Sequence, residues 1–411
     1  MKFESVKRKK ASVFADEGSR PDIELHPFSS RGRALVGQEM FKVLDKARKL
    51  EEKGVHIFHL ELGNPRYSPP AEIIDTTIAA LQSLNVGYTS SAGLPELRQA
   101  LATRFTTVYG REIGRENVVI SPANLLISQC LDLACDRGDR VVVFSPAFPS
   151  YYAAAAHIGL EVIDIPLDPE SGFQLTERDI EAAMAAHPKA IIVNSANNPT
   201  GAVYSREALE NLATKCNEAH VWLFSDETYA EVCFDRPFYS LVNKQHSQLV
   251  IISSFSKIFS IPGYRIGYAI AHKAVADKLA LSSSTLISCM PAFTQLGCVA
   301  GLSVIDAYTA KLRAHFGQVA SSCAEIINRS GILRCSRPQS GFYIFLDIGA
   351  AGLDDISFAN RLLEERRTAV TPGRSFGQAY KTHIRIATCG KFDDVIKGTD
   401  QVVSLVGELV S

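Results

Sequence analysis

Five short apolar runs, RVVVF at 140–144, EVIDI at 161–165, AIIVN at 190–194, VWLFS at 221–225 and LVIIS at 249–253, recur between segments of helical spacing. No other feature limits the fold as much. Strands that are apolar along their whole length have to be covered on both faces, and amphipathic helices between them supply the cover. The pattern predicts an α/β fold, a mostly parallel central sheet flanked by helices. At 205–219, Leu209, Leu212, Ala213 and Cys216 share one helical face behind Ser205, a candidate N-cap.

Elsewhere the pattern is different. At 37–54 Met40, Phe41, Leu44, Ala47 and Leu50 recur at helical spacing, and Gly54 closes the segment as a C-cap residue would. Beyond about residue 300 come a long helical stretch, SGFYIFLDI at 340–348, a second helix at 357–366 and HIRIAT at 383–388. This mixture predicts a smaller α+β domain. The expected organisation is a polar arm at 1–25, a large domain at 67–305, and a small domain assembled from 26–66 and 306–411.

Composition excludes several classes of function. Lys plus Arg number 43 against 44 Asp plus Glu, so the net charge of -1 supplies no field for nucleic acid or anionic lipid. No uninterrupted apolar run is long enough to span a bilayer and residues 1–10 are charged, so a cytoplasmic protein without a membrane partner is expected. Nine cysteines without a C-x-x-C pair read as reduced thiols. His56 and His59, three apart in the extended run VHIFHLEL, point to opposite faces, so no metal site is expected. The phosphate loops of dinucleotide and nucleoside-triphosphate sites are absent from the sequence.

In open parallel sheets ligands bind beyond the carboxyl ends of the strands. Here AIIVN leads into Ser195-Ala196-Asn197-Asn198-Pro199-Thr200-Gly201, VWLFS into Asp226-Glu227-Thr228-Tyr229, and LVIIS into Ser254-Phe255-Ser256-Lys257. Each segment alone has an ordinary turn or capping role. Together, an amide, an acid, a phenol and a lysine at the rim of one sheet point to a cofactor pocket.

At these residues the chain resembles the class I and II aminotransferases, type I fold enzymes that depend on pyridoxal 5'-phosphate. The resemblance extends to Leu62-Gly63-Asn64-Pro65, Tyr88, the run 91–98, Pro146-Ala147-Phe148-Pro149-Ser150-Tyr151, Gly263-Tyr264-Arg265-Ile266-Gly267 and His383-Ile384-Arg385. It implies that Lys257 forms the Schiff base with the cofactor and then acts as general base. Asp226 would keep the pyridine nitrogen protonated, Asn198 and Tyr229 would donate to the phenolic oxygen, and Phe148 would lie on the ring face. Arg265 and Ser254 would hold the phosphate, together with the turn carrying Ala123 and Asn124. That turn departs from the family's glycine followed by small or polar residues. Tyr88 would reach the phosphate of a neighbouring subunit, which implies a homodimer with shared active sites.

For the substrates, the resemblance implies an amino acid and a 2-oxo acid, with Arg385 on the α-carboxylate and Gly63 and Asn198 beside it. Family members acting on dicarboxylates place an arginine about thirty-four residues after the lysine, on the partner subunit. Here that segment is Ser288-Cys289-Met290-Pro291-Ala292, so a dicarboxylic substrate is disfavoured unless Arg31, Arg33 or Arg66 substitutes. A lyase, a cyclase or other chemistry at the α, β or γ carbon, in specialised metabolism, stands as the alternative, because the same lysine, aspartate and arginine serve it. A regulator built on this fold would need a winged-helix domain ahead of it, and about 25 polar residues are too few to form one.

Overall fold

In the computed structural model, which describes residues 27–33, 37–83 and 86–411, all five apolar runs are strands. The arm expected at 1–25 lies outside the described residues. Chain order begins β1 (Phe58–His59), β2 (Val118–Ser121), β3 (Arg140–Ser145), β4 (Glu161–Pro166), β5 (Ala190–Val193) and β6 (Trp222–Asp226). It continues β7 (Leu249–Ser254), β8 (Gly267–Ala271), β9 (Tyr343–Asp347), β10 (Thr368–Ala369), β11 (Thr371–Pro372) and β12 (His383–Ala387).

Seven strands make the central sheet in the order β2-β8-β7-β6-β5-β3-β4. The pairs from β4 to β7 are parallel, and β8 runs antiparallel to both β7 and β2. Alternating side chains feed two cores. Val142, Ile191, Val193 and Ile251 pack with Leu209, Leu212 and Cys216 on one face, while Val141, Val143, Ile192 and Phe224 pack with Leu126, Leu131 and Ala155 on the other. The helix Arg206–Glu218 forms as its pattern predicts: the Ser205 hydroxyl accepts from the Ala208 N–H, and Leu209, Leu212, Ala213 and Cys216 are its buried positions.

Two expectations need correction. EVIDI is not covered on both faces, because β4 is the edge strand and its residues are only half-buried or exposed. In the helix Glu39–Glu51 the buried positions are Met40, Val43 and Ala47, whereas Phe41 is exposed. The helix does end at the expected glycine: the Val55 N–H reaches the Leu50 carbonyl and the Gly54 N–H that of Glu51, with Gly54 at φ +83°.

A second, smaller sheet has the antiparallel order β11-β12-β9, and β1 pairs in parallel with β10. Its core joins Leu60, Ile344, Leu346, Ile384 and Ile386 to the helices Ile305–Arg329, Asp355–Arg366 and Phe392–Val410. The last of these helices escaped the reading of the sequence. Its signal is the spacing of Val395, Val402, Leu405 and Val406, which are its buried apolar positions.

The chain divides into two compact units, Met1–Leu35 and Val36–Ser411. Described residues of the first form the single turn Ser30–Arg33, and all three sheets belong to the second. All nine cysteines carry free thiols. Among the described residues no helix is long and apolar enough to cross a membrane.

Candidate active site

Because β5, β6 and β7 are parallel, the polar segments that follow them emerge at one edge of the sheet. There they open on a cavity of about 460 Å³. The antiparallel β8 brings its amino end to the same edge, with Gly267 opposite Ser254. Of the expected site residues, Gly63, Ala123, Asn124, Phe148, Asn198, Asp226, Tyr229, Ser254, Lys257, Arg265 and Arg385 all line this cavity. Tyr88 does not: it stands 93% exposed.

Lys257 sits on the short helix Phe255–Ile258, whose N-cap Ser254 accepts from the Ser256 N–H. Its Nζ donates to the Gly63 carbonyl at 2.5 Å. Burial pushes this amine down to about 8, and the positive charges of Arg385 and Arg265 act in the same direction. A neutral amine is therefore accessible near neutral pH, as a base requires. At Gly63 a Cβ would come within 1.8 Å of the Tyr343 hydroxyl, so only glycine fits this approach.

Asp226 ends β6 inside the protein. Its Oδ2 accepts from the Tyr151 hydroxyl at 2.7 Å and its Oδ1 from the Thr228 N–H at 3.1 Å. Burial raises its carboxyl above the usual range, although both hydrogen bonds oppose that shift. Among the described residues it has no salt-bridge partner, so a cation placed against it would be favoured. Tyr151, absent from the residues expected at the site, is thus its nearest support. Tyr229, two turn residues beyond Thr228's neighbour Glu227, lies 2.9 Å from the Tyr343 hydroxyl, and burial holds it protonated as a donor.

An anion would find its place at the start of the helix Ala123–Ala134. No side chain caps this helix, and Ala123 and Asn124 face the cavity with Ser254 and Arg265. Arg265 holds the left-handed conformation, φ +54°, unusual for a residue with a Cβ. A Cβ on Gly267 would meet the Ser253 carbonyl at 2.6 Å and the Ala123 nitrogen at 3.1 Å. The close approach of β8 to the helix start depends on that glycine.

Arg385 is 1% exposed, yet no carboxylate meets it among the described residues. Its Nη1 donates to Asn198 Oδ1 at 3.0 Å and its Nη2 to the Glu61 carbonyl at 2.6 Å. Tyr343 and Phe376 flank the guanidinium, with ring centres 4.3 and 4.9 Å from its carbon. Since arginine can only donate, Asn198 must turn its oxygen to Arg385, which leaves its Nδ2 as a donor elsewhere. Asn194, not anticipated either, supports both neighbours: its Oδ1 accepts from the Asn198 N–H at 2.9 Å and its Nδ2 donates to the Asp226 carbonyl at 2.8 Å. The register of β9 against β12 accounts for Tyr343, but SGFYIFLDI by itself does not show which residue meets Arg385.

The segment 288–292 serves the fold. Ser288, at φ +62° and ψ -65°, is the centre of a three-residue turn closed by the Cys289 N–H on the Ile287 carbonyl at 2.7 Å. Cys289 Sγ then accepts from the Thr89 N–H at 3.3 Å, next to Tyr88. Arg66 lines a separate cavity on the other side of Leu62 and Asn64, and Arg33 belongs to the unit Met1–Leu35. No group of histidine, cysteine and carboxylate side chains suited to a metal occurs among the described residues.

The model of the family described as Aminotransferase class I and II matches residues 55–397. An aspartate aminotransferase of Thermotoga maritima is 31% identical over 337 residues, 80% of this chain and 87% of its own length. The arginine–pyruvate transaminase AruH of Pseudomonas aeruginosa is 29% identical over 341 residues, 82% of this chain and 86% of its own. Among solved structures, the aspartate aminotransferase of Thermus thermophilus with maleate superposes with a TM-score of 0.88 at 28% identity, covering 93% of this chain and all of its own.

Proposed function

This chain belongs to the class I and II aminotransferase family, whose members use pyridoxal 5'-phosphate, and from that premise we propose that it moves an amino group between a non-dicarboxylic amino acid and a 2-oxo acid. The observation that carries the reading is the buried guanidinium of Arg385, which faces the cavity with no carboxylate against it among the described residues. A buried arginine without a counter-ion is costly, and an α-carboxylate removes that cost.

The donor set fits the cofactor. Asp226 supplies an unpaired buried carboxylate for a protonated ring nitrogen, Lys257 an amine of lowered basicity, and the uncapped helix start with Arg265 and Ser254 a phosphate cradle. Phe148 offers an aromatic face, and Asn198 Nδ2 and the Tyr229 hydroxyl offer donors to the phenolic oxygen. When bound, the cofactor supplies an electron sink for the pair left on the α carbon as its proton departs. Lys257 takes that proton and returns it, Asp226 maintains the charge on the ring nitrogen, and Arg385 orients the substrate by its carboxylate.

Three observations support a side chain without a second carboxylate. Among the described residues the cations lining the cavity are Lys257, Arg265 and Arg385, each already given a role. Met40, Phe41, Ile127 and Phe148 contribute apolar wall. The segment 288–292 holds no basic residue. Incubating the purified holoenzyme with a panel of L-amino acids, followed by absorbance and mass spectrometry, tests this. Apolar and aromatic donors should yield their 2-oxo acids faster than aspartate does, and Arg385→Lys should raise KM for every donor. Release of ammonia or a rearranged carbon skeleton would establish lyase or cyclase chemistry instead.

We further propose a homodimer with shared sites. Tyr88 is exposed, and so are the apolar Ile78, Leu81 and Val86 that precede it in the chain, side chains that a second copy could cover. Mixing inactive Lys257→Ala protein with a weakened Tyr88→Ala protein should restore one intact site per mixed dimer. Sedimentation as a fully active monomer at micromolar concentration would refute the shared site.

A further inference from the structure

The segment 58–66 threads between the small sheet and the cavity, and its backbone carries an unusual share of the contacts there. The Leu60 carbonyl accepts from the Ala387 N–H at 2.7 Å. The next carbonyl, that of Glu61, accepts from Arg385 Nη2 at 2.6 Å and from the Thr371 hydroxyl at 2.7 Å. Two residues on, the Gly63 carbonyl accepts from Lys257 Nζ. Any shift of this segment therefore moves both the arginine and the amine.

On its other side lies the second cavity, about 420 Å³, with Leu62 and Asn64 lining both. The Glu61 side chain turns to that side, 1% exposed. Its Oε1 meets His59 Nδ1 at 2.9 Å, and His59 Nε2 meets Glu51 Oε1 at 3.1 Å. Carboxylates at both ring nitrogens require both to donate, which is the imidazolium form. The second oxygen, Glu61 Oε2, is buried without a partner among the described residues, where His59 is the cation that compensates this charge.

We propose that His59 and Glu61 are positioning residues for substrate binding: their buried ion pair clamps the Glu61–Gly63 backbone from behind and so fixes the carbonyl that aims Arg385. The proposal rests on the reading of Arg385 as the carboxylate ligand. Side chain and carbonyl of Glu61 share one Cα, so a carboxylate free to swing out also frees the peptide that follows. Small displacements of a positioning group are expensive in binding.

The hydrogen bond to Glu61, reinforced by the charges of Glu61 and Glu51, holds His59 up at about 9 against the opposing effect of burial. Other charged and titratable groups around the second cavity are Arg48 on the helix Glu39–Glu51, His56 just before the segment and Arg66 at its end, and Lys391 and Asp394 at the start of the C-terminal helix. A folded-state value raised above the ordinary one means that the clamp is fully present below about 6.5 and is lost as pH rises through about 9.

The test uses the holoenzyme with His59→Gln, Glu61→Gln and, as reference, Arg385→Lys. L-Phenylalanine, L-methionine and L-aspartate serve as donors, and 3-phenylpropionate as a carboxylate probe that has no amine to titrate. Loss of one positioning contact should raise KM and the dissociation constant of the probe roughly three- to tenfold, with kcat and cofactor absorbance near those of the unaltered enzyme. The unaltered enzyme should lose affinity for the probe above about pH 9, and His59→Gln should lack that limb. Should Glu61→Gln fail to fold, His59→Gln, at a half-exposed position, carries the test. Unchanged KM in His59→Gln while Arg385→Lys weakens binding overturns the clamp. Unchanged binding in Arg385→Lys overturns the reading of Arg385 instead. A lower melting temperature with no change in KM marks a merely structural pair and also overturns the proposal.

Discussion

On the proposed function, Lys257→Ala should abolish turnover, by roughly 10⁴-fold or more, the upper range for removal of a general base, since the same group would also anchor the cofactor. The amine is well placed for both tasks. It lies on a four-residue helix at the end of a central strand, with its Nζ held 2.5 Å from the Gly63 carbonyl, and burial brings it down to about 8. Among the described residues no other lysine lines the cavity. Borohydride reduction of the holoenzyme followed by peptide mapping should find the cofactor attached at Lys257, and the variant should retain its circular dichroism while failing to convert amino acids. A label on a different lysine, or turnover within tenfold of the unaltered enzyme, would overturn the assignment.

Asp226→Ala is expected to cost about 10²-fold or more in kcat while cofactor remains bound. The lysine and the phosphate cradle are untouched by the substitution, so retention of the cofactor follows from them. What disappears is the buried carboxylate that the Tyr151 hydroxyl and the Thr228 N–H hold in position. Without it no carboxylate among the described residues of the cavity would compensate a positive ring nitrogen, and the electron sink would weaken. Asp226→Asn, of nearly equal shape, separates charge from packing: a comparable loss of kcat with unchanged melting temperature indicates the charge. Near-normal turnover in both variants would mean that another group maintains the ring nitrogen.

Much of this molecule could be read from local pattern. The runs at 140–144, 190–194, 221–225 and 249–253 are buried strands because only a doubly covered strand tolerates apolar residues at every position. EVIDI looks similar and is an edge strand. Composition records what a strand can tolerate, whereas neighbours decide how much of it is covered. Likewise Phe41 and Val43 both suit an amphipathic helix, and which of them turns inward depends on the surface the helix meets.

Local pattern in the chain is enough to predict the sheet, the edge on which the cavity opens, and the residues Asn198, Asp226, Tyr229, Ser254, Lys257 and Arg265 that line it. Asn198, Asp226, Tyr229, Ser254 and Lys257 end a strand or follow one within a few residues, and Arg265 precedes the antiparallel β8, so strand direction carries them all to one rim. What those groups face depends on how distant segments pack. The contact of Arg385 with Asn198 spans 187 positions and that of Lys257 with Gly63 spans 194. Tyr343 reaches Tyr229, and Glu61 turns its carbonyl to Arg385 and its carboxylate to His59, through the pairing of β9, β10 and β12 with their neighbours. Such contacts depend on register and on the packing of one sheet against another, and a shift of one residue would send every side chain to the opposite face without altering the local pattern at all.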